Sequence, residues 1–238
     1  MVDKIKYLSR INLFHDLDIQ ELQQMESIAP IRVTKKGTLI TAPHKNQKRL
    51  YLIKSGKVRM YTLSNSGKEL TIDILGAGHI FGEISLFAPG SHLIYAKAIE
   101  NSIICSIDKI QFEQVLMEKP VIALKIIKVL STRLKEMEEM MEQMAYGSVR
   151  NKLLFLLNRL SEKFGEPLNE NAAVQNEWIQ IGVKVTHQEL ASMMGSIRET
   201  VTELLNELIS EGVVNRTSTR GFFIIHRQRL KETIENTI

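Results

Sequence analysis

The chain has 238 residues, 44% of them hydrophobic and 24% charged, a globular composition with room for one large domain or two small ones. Its single cysteine, Cys105, excludes a disulfide framework and any cysteine-only metal site, and no apolar run approaches the ~20 residues needed to cross a bilayer. The net charge of +4 is not concentrated, because residues 147–238 carry eleven basic and eleven acidic side chains; charge alone selects no partner.

From Ile31 to Ile107 the pattern is that of short strands punctuated by glycine. Arg49–Lys54 and Lys57–Leu63 flank Ser55-Gly56, with Val58, Met60 and Thr62 expected on one face. A turn at Ser64–Gly67 precedes a strand over Lys68–Leu75, and Ile94–Ile107 divides into two more strands around Glu100-Asn101. Such spacing predicts a jelly roll or related β-barrel of ~100 residues.

A long helix is expected from Pro120, since proline suits a first turn. Ile127, Leu130, Leu134, Met137, Met141 and Met144 recur at alternating spacings of three and four, flanked by Lys135, Glu136, Glu138, Glu139 and Glu142. That is the seam of a parallel coiled coil, and it predicts a homodimer. The alternative is an amphipathic helix lying on its own domain.

Beyond Gly147 come a helix rich in leucine (Val149–Phe164), a polar loop over residues 165–177, two further helices and a β-hairpin over Val213–His226. Thr186-His-Gln-Glu189 fits a capping box, and the short helix it opens stops at Gly195. Ser196-Ile-Arg-Glu199 fits a second capping box, opening a longer helix with Val201, Leu204, Leu205 and Leu208 on one face. Two capped helices joined by a glycine turn and followed by a hairpin make a winged helix-turn-helix, whose second helix enters the DNA major groove. Arg198, Glu199, Thr202 and Glu203 are its first exposed residues, with Thr186, His187, Gln188, Ser196 and Thr200 beside them. Arginine grips guanine and glutamate accepts from cytosine, although Glu199 is also explained as a cap. Arg216, Arg220, His226, Arg227 and Arg229 are placed on or beside the wing, for phosphate contacts.

The stretch Gln188–Val201, with its glycine turn and Arg198-Glu-Thr-Val201, resembles the helix-turn-helix of the CRP/FNR transcription factors. The resemblance extends over nearly the whole chain: Gly56, Gly67, Gly78 and Gly82 fall where that family's β-roll has glycines, and Phe81–Phe87 resembles its phosphate-binding cassette. It implies an α+β fold: an N-terminal β-roll like a cyclic-nucleotide-binding jelly roll (1–118), a dimerisation helix (119–146) and a C-terminal winged helix-turn-helix (147–238). It further implies a homodimer on a near-palindromic double-stranded DNA site, with RNA polymerase touched by the loop after residue 165. Two departures stand out: Ile197 replaces the serine that commonly precedes the arginine, and Glu203 replaces an arginine one turn later.

For an effector, Gly82 and Glu83 resemble the ribose-holding end of the cassette. Where nucleotide-binding members offer an Arg-Ser pair, the stretch from Ser91 has His92 and Leu93, and the adenine-contacting positions are Met137 and Glu138. A buried phosphate wants a forked, permanently charged donor, so cyclic AMP is not expected. An unknown ligand and constitutive DNA binding both stay open. No cofactor or metal is expected: the six histidines scatter without a His-x-His pair, which argues against a jelly-roll metalloenzyme. A β-roll module for ligand or protein contact is the other alternative. The first residues, Met1 to Lys6, show no signal-peptide core, and a cytoplasmic, membrane-free protein is expected.

Overall fold

Glycine and strand periodicity shape the N-terminal part of the structure, a computed structural model that describes residues 28–43, 49–82, 94–168, 177–217 and 221–236, without the side chains of residues 133, 144 and 146. Here β1 (Ile31–Thr34), β2 (Leu39–Thr41), β3 (Arg49–Ser55), β4 (Val58–Leu63), β5 (Glu69–Leu75), β6 (Ile80–Gly82), β7 (Tyr95–Ala98) and β8 (Ser102–Asp108) form two antiparallel sheets. Their strand orders are β1-β8-β3-β6 and β2-β7-β4-β5. The expected β-roll is present.

Alternation gives the first sheet two apolar faces. Leu50, Leu52, Cys105 and Ile107 face Phe112 and Val115 of α1 (Lys109–Glu118) and Ile122 and Ile126 of α2 (Pro120–Tyr146). Tyr51, Ile53, Phe81 and Ile104 face Val58, Leu75 and Ala96 of the second sheet. Each such burial contributes roughly 1.5–3 kcal/mol for a large apolar side chain. Between β3 and β4 the chain turns at Gly56 with φ +89°, and a Cβ there would run into Ser102.

The expected Val58-Met60-Thr62 face is corrected. Val58 and Tyr61 are buried and Met60 is half-buried, because the register with β5 shifts between Met60 and Tyr61. One extra residue at such a bulge moves every later side chain to the other face.

The chain divides into two compact units, residues 1–135 and 136–238. In the second, α3 (Val149–Phe164) is capped by Ser148 and buries Leu153, Leu154, Leu156, Leu157 and Leu160. Then follow β9 (Gly165–Pro167), β10 (Trp178–Ile181), α4 (His187–Met194), α5 (Arg198–Ser210), β11 (Val214–Arg216), β12 (Phe223–His226) and α6 (Arg227–Glu235). The strands make one antiparallel sheet in the order β11-β12-β10-β9.

Two expectations change here. The segment after α3 does not begin as a polar loop: Gly165 and Glu166 pair with Ile181 and Gln180 of β10, and Pro167 is tolerated because β9 is an edge strand. Arg227 and Arg229, expected on or beside the wing, are not on its strands but open α6 directly after β12. Arg229 donates to the carbonyls of Glu211 and Gly212, each at 3.5 Å, and so serves the end of α5. His226 is buried, edge-on to Trp178, with Nε2 at 3.1 Å from Glu177 and Nδ1 accepting the Arg229 N–H.

Candidate nucleic-acid interface

The helix-turn-helix is built by local hydrogen bonds that the sequence encodes. The Thr186 hydroxyl accepts the Glu189 N–H at 3.1 Å, and the Glu189 carboxylate accepts the Thr186 N–H at 2.7 Å, so the first capping box is formed as expected. Leu190, Ala191, Met193 and Met194 are buried. Gly195, at φ 64° and ψ 33°, ends α4 in the left-handed region that glycine enters without strain.

The second capping box does not form. The Ser196 N–H is taken by the Ala191 carbonyl at 2.9 Å as the chain leaves α4. The extended cap position of α5 therefore falls on Ile197, at φ −103° and ψ 152°, which offers no side-chain hydrogen bond. Glu199 is then the second helical residue, exposed and free of capping duty. The buried side of α5 is Val201, Leu205 and Leu208, with Leu204 half-buried.

Arg198, Glu199, Glu203 and Gln188 are exposed, and Ser196, Thr200, His187 and Thr202 are half-buried. Thr186 is exposed but spends its hydroxyl on the cap. Thr202 turns inward: its hydroxyl donates to the Arg198 carbonyl at 2.9 Å and lies 2.8 Å from His187 Nδ1, whose ring stacks near Phe223. Arg216 is exposed on β11 and donates to the Asn206 side chain of α5. Arg220 lies outside the described residues. Ile197 has no polar group with which to read a base edge, yet it is 62% exposed at the mouth of the helix. The legible signal was a β-branched residue standing where a capping side chain is favoured.

The electrostatics along α5 are unusual. Glu199, Glu203 and Glu207 follow at four-residue spacing, an arrangement that repels itself. Arg150 of α3 offsets only the last of them, with contacts of 3.2 Å to Glu207 and 2.6 Å to Glu211.

On α2, the stripe Ile127, Leu130, Leu134, Met137 and Met141 is 38–70% exposed, while Ile122 and Ile126 occupy the buried face. Beyond Lys135 the helix is tied to α3 by Glu136 and Arg159, at 3.1 Å. Of the residues considered for an effector, Gly82 ends β6 and Met137 and Glu138 are exposed on α2. Glu83, Ser91, His92 and Leu93 lie outside the described residues, as does the Met144 side chain.

Residues 31–119 match the cyclic nucleotide-binding domain family, and residues 152–233 match the Crp-like helix-turn-helix domain family. The chain is 29% identical over 202 residues to the cyclic AMP receptor protein of Thermus thermophilus, covering 85% of this chain and 87% of that one. It is 30% identical over 176 residues to the global nitrogen regulator of Synechococcus elongatus, covering 73% and 76%. A solved structure of a CooA variant from Carboxydothermus hydrogenoformans superposes with a TM-score of 0.74 at 26% identity, over 97% of this chain and 99% of that one. A β-roll, a long helix and a Crp-like helix-turn-helix in this order, shared with such relatives over most of both chains, mean that the chain belongs to the CRP/FNR family of transcription regulators.

Proposed function

We propose that the chain binds a near-palindromic DNA site as a homodimer and reads base edges with Arg198, Glu199 and Glu203. The observation that carries this reading is the exposed first turn of α5, where a guanidinium and a carboxylate stand side by side with no capping task. Arginine grips guanine O6 and N7, glutamate accepts from cytosine N4, and the apolar Ile197 suits a thymine methyl. Gln188, Ser196 and Thr200 serve for phosphate contacts at one side and Arg216 at the wing, with Arg220 assigned the same role from the sequence. His187 and Thr202 hold the reading helix rather than touch DNA.

The homodimer is supported by the exposed apolar stripe of α2, which no other described residue covers. Two reading helices then meet half-sites about one DNA turn, roughly 34 Å, apart. The three-part division at residues 118 and 146, contact with RNA polymerase and a cytoplasmic location follow the same reading. Cyclic AMP is not the effector: His92, Leu93, Met137 and Glu138 replace the groups that hold a nucleotide. The relatives' names cover both a cyclic AMP receptor and a nitrogen regulator, so they do not select a signal.

The test is footprinting on genomic fragments, followed by affinity measurements as salt is raised. Protection of paired half-sites and a steep loss of affinity with salt are expected from phosphate neutralisation. An affinity indifferent to salt overturns the reading.

A further inference from the structure

At the open edge of the β-roll lies a half-open cavity of about 700 Å³, bounded by β1, β3 and β8 of one sheet and by β2 of the other. That size suits a small organic ligand. Leu39, Ile40 and Ile104 supply apolar wall, and Arg32, Lys35, Arg49, Tyr51 and Ser106 supply polar groups. Among the described residues the walls hold three basic side chains and no carboxylate.

Strand register explains why these groups converge. Arg32 stands opposite Ile104, and Tyr51 opposite Ser106, on the side of the sheet that also carries Ile53 and Phe81. Arg49, two residues before Tyr51, shares that side, and its Nη1 donates to the Ser106 hydroxyl at 3.1 Å. An inward arginine on the edge strand β1 has an explanation as a guard against edge pairing. β3 is no edge strand, being paired with β8 and β6, so Arg49 lacks that explanation. Inward positions of small barrels are otherwise filled by apolar side chains. Burial pushes the Tyr51 phenol above its ordinary value of 10.0, against the opposing charges of Arg49 and Arg32, so it keeps its proton and can donate.

We propose that this cavity binds a small amphiphilic anion, a carboxylate or phosphate ester gripped by Arg49, Arg32 and the Tyr51 hydroxyl, with its apolar body against Leu39, Ile40 and Ile104. The site differs from the one the family resemblance assigns to a nucleotide: Gly82, Met137 and Glu138 are described, and none of them lines it. It stands whether or not the chain reads DNA.

The experiment is calorimetric titration of the full chain with phenyl phosphate and with octanoate, using benzyl alcohol as the neutral counterpart. Saturable binding of at least one anion and none of the alcohol is expected, and the tighter anion identifies the headgroup class. Arg49→Gln and Arg32→Gln should each weaken that binding about tenfold or more, as expected for losing a charge-assisted hydrogen bond. Lys68→Gln, at an exposed turn outside the cavity, should leave it unchanged. Thermal melting without ligand identifies any variant that fails to fold; Arg32, exposed on an edge strand, keeps the test valid if Arg49→Gln does. Failure of both anions to saturate, equally tight binding of the alcohol, or unchanged binding in both arginine variants overturns the proposal.

Discussion

The Nδ1 atom of His187 lies 2.8 Å from the hydroxyl of Thr202, joining the first residue of α4 to the second turn of α5. Because that hydroxyl donates its one proton to the Arg198 carbonyl at 2.9 Å, the histidine must supply the hydrogen and carries it on Nδ1. The bond fixes the angle at which α5 leaves the turn. Thr202→Val should cost about 0.5–1.5 kcal/mol of stability. It should also weaken binding to all DNA sequences alike, as measured by urea denaturation and fluorescence anisotropy. A change confined to one base position would make Thr202 a reader instead.

Ile197 holds a cap position without capping. Ile197→Ser should therefore stabilise the chain by roughly 0.5–1 kcal/mol, because serine can accept an orphan N–H of α5. The same variant should lose its preference for thymine at one position of the site, as read by selection from a random duplex library. Gain of stability with unchanged preference would leave Ile197 without a role in recognition.

Arg198→Ala should lose about 1–3 kcal/mol on the specific site and much less on random duplex. Anisotropy on both duplexes measures the ratio, and sedimentation should show the oligomeric state untouched. Equal loss on both would reduce Arg198 to a phosphate contact.

Leu134 is 58% exposed in the middle of the α2 stripe. Leu134→Glu places like charges against each other in a parallel pair and should yield monomers by analytical ultracentrifugation. Survival of the dimer would move the contact to another surface.

Burial pushes the Cys105 thiol above its ordinary value of 9.0, against a smaller pull from Lys54. The native protein should resist Ellman's reagent and react once unfolded. Since the folded state holds the proton more tightly, this group's stabilising effect is whole below pH 9.0 and is lost as pH climbs through the raised folded value. Wild-type chain should accordingly lose more melting temperature than Cys105→Val on passing above that pH.

Strands were legible where glycine bounded them, as at Gly56, and the helix-turn-helix where Thr186, Glu189 and Gly195 dictate local bonds. Interactions between distant segments were not. The bulge after Met60 depends on pairing with β5, and β9 exists only because β10 offers it an edge. Ser196 and Glu199 have the spacing of a cap, but the Ala191 carbonyl competes for the backbone and shifts the helix start by one residue. The cavity arginines were equally hidden, since which side of a strand a residue occupies follows from partners far along the chain.

If the exposed Glu199 and Glu203 face the bases as proposed, their carboxylates also bear on how the protein searches a chromosome. A guanidinium alone would cling to any stretch of polyanion, whereas two acidic groups on the same helix are repelled by every sequence that does not offer them amino protons. On that reading residence on wrong sites is shortened, and a DNA-binding half whose basic and acidic side chains balance, eleven against eleven over residues 147–238, reaches its operator without being sequestered along the way.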